Sequence, residues 1–214
     1  LDAIVDMIRN SLFNAEEIER EKGVIVEEMN MYIDTPRDYI GSVYDALLFG
    51  DQPLGWDIIG RKETVRAATR ETFLSYLDAW YSPERMIVGV GGRIGDGLIE
   101  RLEELVGDIA PRATGTALPV SLVEGASPVR LATKASDQAH LIIGTRSYPL
   151  DHPDKYPLDL LATVLGGGMS SRLFTEVRER RGLAYYCFGT AQPFTDAGSL
   201  YAQAGVDISR IDEA

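Results

Sequence analysis

Leu1, Ile4, Val5, Ile8 and Leu12 recur at helical spacing, which predicts a first helix over residues 1–13. Asn14 followed by Glu16 and Glu17 reads as an N-cap with acids in the first turn, and predicts a second helix to about Tyr32. A third helix fits residues 37–49, behind Pro36. The Gly-, Pro- and Asp-rich stretch 50–60 reads as a loop. Thr69 caps a helix over residues 70–81, and Pro83 ends it. The β-branched run at residues 85–90 then predicts a buried strand, and residues 95–106 a further amphipathic helix.

Residues 111–127 lose this periodicity and carry Pro111, Gly115, Pro119 and Gly125 among small polar residues, the composition of an interdomain linker. Beyond them the pattern predicts strands at 129–133 and 138–146, helices at 153–165 and 170–181, and strands at 184–192 and 198–206. Another helix begins near Ala214. Helices grouped with non-alternating strands predict an α+β fold, not a doubly wound sheet. The strands are few for two complete sheets, so two partial domains are expected: residues 1–111, a linker at 112–128, and residues 129–214.

Composition narrows the function classes. Hydrophobic residues are 45% and charged residues 25% of the 214, a balance that can bury a core. The net charge of −12 argues against a nucleic-acid partner, which needs clustered Lys and Arg. The single cysteine, Cys187, makes neither an internal disulfide nor a cysteine-based zinc site. No apolar run reaches transmembrane length, so no membrane span is expected. No signal peptide pattern is present at Leu1, and a cytoplasmic protein is the expectation.

The second helix holds the first candidate chemistry. At about 100° per residue Ile18, Ile25 and Met29 share a face, and Val24 borders it. Glu21 and Glu28, seven apart, stack on one side between Val24 and Ile25, while Glu27 points elsewhere. A carboxylate within an apolar stripe is costly unless paired or bound to a metal. Two readings stand side by side: a solvated helix edge, or a functional carboxylate pair.

Glu19-Arg20-Glu21-Lys22 with Val24 and Glu28 resembles the segment of the pitrilysin/insulinase-type zinc metallopeptidases (family M16, the inverzincins) that carries their third zinc ligand. The resemblance continues at Pro53-Leu54-Gly55, Ile59-Gly60 and Tyr81-Ser82-Pro83-Glu84-Arg85-Met86. It is most specific at Gly166-Gly167-Gly168-Met169-Ser170-Ser171-Arg172-Leu173-Phe174 and from Arg178 through Arg181-Gly182-Leu183-Ala184-Tyr185. It implies that Glu28 is a zinc ligand and Glu21 a glutamate important for activity. It also implies that Arg178 and Tyr185, seven apart, reach the substrate at the zinc site from the second domain. Each domain would be an antiparallel sheet packed against helices.

The resemblance further implies a His-x-x-Glu-His motif, two zinc ligands and a general base, placed upstream of Leu1. His140 and His152 do not form that motif. His140 sits in an apolar strand and reads as a core or edge residue; His152 reads as a solvent-facing loop residue. The triple glycine at 166–168 lacks the lysine of a phosphate-binding loop and reads as a connection between helices, with Ser170 as a cap.

Two functions are then in view. One is a zinc-dependent metalloendopeptidase acting on a peptide or small-protein substrate, of which this chain supplies Glu21, Glu28, Arg178 and Tyr185. The other is a non-catalytic substrate-binding or scaffold subunit of the same family, in a homodimer or a heterodimer with a related subunit.

Overall fold

The computed structural model describes residues 1–112, 114–121 and 129–214. Helices α1 (Asp2–Arg9), α2 (Ala15–Ile33) and α3 (Pro36–Phe49) stand where the hydrophobic spacing puts them. Asn14 Oδ1 accepts the Glu16 N–H at 2.8 Å, so the expected cap of α2 forms. Pro36 opens α3, a position where its missing N–H costs nothing. Helix α4 (Lys62–Ala67) lies in a stretch that the hydrophobic pattern left unassigned. Helix α5 (Arg70–Trp80) starts behind Thr69, whose N–H donates to Thr72 Oγ1 at 3.0 Å. Helix α6 is Leu98–Val106. The linker-like stretch falls partly outside the described residues, at 113 and 122–128.

Contacts divide the chain into two units, Leu1–Glu27 with Arg61–Ala117, and Glu28–Gly60 with Leu118–Ala214. In the first unit α1 lies against α6. Arg9 grips Asp108 through both guanidinium nitrogens at 2.6 and 2.7 Å, and Phe13 stacks on Phe73 with centroids 5.4 Å apart. That ion pair is solvent-exposed, and such pairs contribute little to stability.

The buried strand expected at residues 85–90 is not formed. A short 3-10 turn occupies Pro83–Arg85, and Met86 is extended at φ −105 and ψ 133. Ile87 is 97% exposed. A strand is stabilised by its ladder, and the first unit holds no strand among the described residues that could supply one. Residues 129–133 also form no strand, and Val129 and Leu131 are exposed.

The second unit is built on one antiparallel sheet. Strands β1 (Gln138–Arg146), β2 (Ala184–Pro193) and β3 (Gly198–Asp207) lie in the order β1-β3-β2. The α+β expectation holds. Helix α3 covers one face, where Tyr44 packs on Tyr201 at 5.2 Å. Helix α7 (Lys155–Gly166) and a π-helix (Phe174–Arg180) cover the other. Leu173 and Val177 pack there on buried Ala184, Cys187 and Val206. Any Cβ at Gly166 would overlap the backbone nitrogen of Gly189, so a glycine is needed where α7 meets β2. The helix after the triple glycine starts beyond Ser170: the Ser171 carbonyl accepts the Thr175 N–H at 3.0 Å. Among the described residues no helix is long and apolar enough to cross a membrane.

On α3, burial first and the neighbouring Asp57 second push the Asp45 carboxyl up to about 6 from an ordinary 3.8. A raised carboxyl binds its proton more tightly folded than unfolded. Its contribution is therefore fully present below pH 3.8 and is lost as pH rises through about 6. Asp45→Asn should match the parent chain at pH 3.5 and exceed it by about 1 kcal/mol at pH 8, the full effect of the shift being reduced by solvent screening at a half-buried carboxyl, read by urea unfolding at both pH values.

Candidate functional site

Arg178 and Tyr185 are brought together by two local irregularities. Arg178 lies in the π-helix, a wider winding than the α-helix that recurs at functional sites. Gly182 closes that helix at φ +59, a left-handed conformation suited to glycine. Its N–H donates to the Arg178 carbonyl at 3.1 Å, and the Leu183 N–H donates to the Val177 carbonyl at 2.9 Å. The chain then enters β2, where Ala184 faces Val206 and Tyr186 faces Gly205. Two steps on β2 match one on β3, so Tyr185 is the extra residue of a β-bulge. Bulges re-aim a side chain, and Tyr185 projects outward at 73% exposure.

The Arg178 guanidinium carbon lies 4.8 Å from the Phe174 ring centroid and 5.9 Å from that of Tyr185. No carboxylate pairs with Arg178 among the described residues, and Arg178 is exposed. Two aromatic faces therefore orient a cation whose donors remain available. A planar guanidinium beside a phenol can hold a peptide backbone and stabilise negative charge on a carbonyl oxygen.

Glu21 and Glu28 are both exposed on α2. The half-buried or buried positions of that helix are Ile18, Lys22, Ile25, Val26, Met29 and Asn30, and Val24 is 55% exposed. The carboxylates thus lie on the solvent side of the apolar stripe rather than within it, because Val24 does not extend the buried face. Among the described residues no hydrogen bond or ion pair joins Glu28 to Arg178 or Tyr185.

The donors present do not make a zinc site. No group of three or more His, Cys, Asp or Glu that could hold a metal ion occurs among the described residues. His152 stacks on Tyr148 at 3.9 Å, and its Nδ1 accepts the Asp154 N–H at 3.1 Å. His140 is committed elsewhere. Its Nδ1 meets the Tyr186 hydroxyl at 2.8 Å, and burial, then the Arg37 charge, hold its pKa below the usual histidine range. Sequence reasoning did not find this Tyr186 cluster. Alternation along β2 places Tyr186 beside His140 only once the register and bulge are known.

Residues 67–214 match the profile of the family described as Peptidase M16 inactive domain. The chain belongs to the M16 peptidase family. It is 33% identical over 213 residues to an uncharacterized zinc protease, YmxG, of Bacillus subtilis, covering 100% of this chain and 52% of that protein. It is 35% identical over 208 residues to an uncharacterized zinc protease of Mycobacterium leprae, covering 95% and 47%. The chain thus spans about half the length of these relatives. A peptidase M16 inactive domain from Pseudomonas fluorescens superposes with a TM-score of 0.80 at 20% identity, over 95% of this chain and 50% of that one. A chain of complex III2 from Candida albicans superposes at 0.76 and 17% identity, over 96% and 51%. Arg178 and Tyr185 fall within the matched stretch; Glu21 and Glu28 precede it.

Gly182→Ala would place a Cβ in left-handed backbone. It should lower stability by about 1–2 kcal/mol, read as a reduced urea midpoint with unchanged slope.

Proposed function

We propose that this chain is the middle portion of a zinc-dependent metalloendopeptidase that hydrolyses peptide or small-protein substrates. The observation that carries the reading is Arg178 held unpaired over Tyr185 at a β-bulge. The relatives' description as zinc proteases supports it. In this reading residues 1–111 complete a zinc-bearing domain, 112–128 link, and 129–214 begin the substrate-holding domain. Glu28 is one zinc ligand and Glu21 supports activity from the same side of α2. The remaining ligands and the general base belong to a His-x-x-Glu-His segment outside the 214 residues. Zinc, when bound, supplies Lewis acidity toward water and the scissile carbonyl. Arg178 donates to the carbonyls of the substrate backbone, and the Tyr185 hydroxyl donates to the scissile carbonyl oxygen as charge develops. The parent is a cytoplasmic protein with neither nucleic acid nor membrane as a partner.

A second reading is a non-catalytic substrate-binding or scaffold subunit, working as a homodimer or paired with a related subunit. It is favoured by the description of the matched domain as inactive and by the likeness to a chain of complex III2.

The two readings separate in the longer protein that includes the upstream segment. Glu28→Gln should lose zinc, because a neutral amide is a poor ligand. Arg178→Ala should keep zinc and lower turnover at least tenfold, the scale of one lost transition-state contact. Zinc content and peptidase rate are measured together. Zinc lost in Arg178→Ala with zinc and activity kept in Glu28→Gln would leave the subunit reading. The 214 residues alone should cleave no quenched peptide with zinc added. Cleavage that survives repurification would contradict the division of ligands.

A further inference from the structure

Ala184 and Tyr186 are two residues apart, and in a regular strand they would share a face. Here they do not. Ala184 is buried with Cys187 and Val206 beneath the π-helix. Tyr186 lies on the opposite face, beneath α3. Its ring crosses bare Gly205 of the central strand, where any Cβ would collide with Tyr186 Cε1. Beyond Gly205 its hydroxyl meets His140 Nδ1 of β1 at 2.8 Å and accepts from Gln203 Nε2 of β3 at 3.0 Å. Gln203 Nε2 also donates to the Arg37 carbonyl at 2.8 Å, and the Arg37 guanidinium covers the Tyr186 ring at 4.5 Å. Tyr186 is thus fixed to all three strands and to α3.

We infer that Tyr186 is a positioning residue for the substrate-holding pair: anchoring it opposite to Ala184 forces the bulge that turns Tyr185 toward Arg178. The extra residue arises because the two anchors demand opposite faces over a two-residue step. Release of the Tyr186 anchor lets β2 return to regular alternation, and Tyr185 then leaves the Arg178 guanidinium. Phenylalanine at 186 loses the hydroxyl's ties to His140 and Gln203, which hold the ring across Gly205, and so releases the anchor while keeping an aromatic side chain. This inference rests on the peptidase reading for its consequence in turnover, but its structural half does not.

The test uses the longer protein with its histidine segment, selectively labelled at Arg and Tyr. In Tyr186→Phe the nuclear Overhauser contact between the Arg178 side chain and the Tyr185 ring should be lost. Zinc content should be unchanged, and turnover should fall about tenfold, the scale of one hydrogen bond. In a Tyr185→Phe background the same substitution should cost nothing further, because its effect passes through Tyr185. A retained contact, unchanged turnover, or an equal loss in the Tyr185→Phe background overturns the inference. If the unsubstituted protein shows no zinc-dependent turnover, the peptidase reading fails and the Arg178–Tyr185 contact alone decides this one. If Tyr186→Phe shows no cooperative thermal transition, His140→Leu, which removes the ring nitrogen that meets the Tyr186 hydroxyl, faces the same outcomes.

Discussion

The central strand β3 carries the constraint on which the second unit depends. Gly205 and Val206 are adjacent and therefore face opposite sides of the sheet. Val206 is 1% exposed and anchors the apolar cluster that receives Leu173 and Val177 from the helical side. Gly205 offers no side chain, and that bare patch is where a tyrosine ring crosses from β2 toward β1. One strand thus supplies an apolar anchor on one face and a polar crossing on the other. The packing of α7 obeys a similar rule, since Gly166 comes so close to β2 that no side chain fits. Small residues set where elements meet; large ones fill what remains.

This explains how the Arg178–Tyr185 pair is built without strain at either residue. Arg178 is presented by a wide helical winding and Tyr185 by an inserted strand residue. Between the end of the π-helix and Tyr185 lie Arg181, a glycine that turns the chain, and two buried residues, Leu183 and Ala184, that pin the turn to the core. The two irregular elements are locked by regular packing on either side. The cation and the phenol meet near the outer surface, where neither pays for burial.

Much of the second unit was legible in the sequence. Strand alternation fixed the start of all three strands, and the start of α2 followed from Asn14. What failed were features that depend on partners distant in sequence. Residues 85–90 have strand composition, but composition cannot provide the neighbouring backbone that a ladder needs. The face of Glu21 and Glu28 was misjudged by a fraction of a turn, because Val24 was counted into the stripe while Lys22 lies half-buried beside Ile25 and Val26. A long lysine stem can cover apolar surface with its charge held outward, here toward Glu19 at 2.5 Å. The Tyr186 cluster could not be read at all, since its members come from positions 37, 140, 186 and 203.

Charge gives the arrangement its chemical sense. The chain carries a net −12, and several of its arginines are drawn into ion pairs with acids. Arg9, Arg20, Arg101, Arg112, Arg180 and Arg210 all lie in ion pairs with Asp or Glu. Arg178 sits two residues before Arg180 and two after Glu176, yet Glu176 pairs with Arg180 at 2.5 Å. Glu176 is thereby occupied by a neighbouring cation, and the aromatic faces of Phe174 and Tyr185 lie beside Arg178. An aromatic face orients a guanidinium while leaving its N–H groups free to donate in the plane, which a bidentate carboxylate would consume. The local sequence thus leaves the Arg178 N–H groups without a carboxylate by giving Arg180 the glutamate.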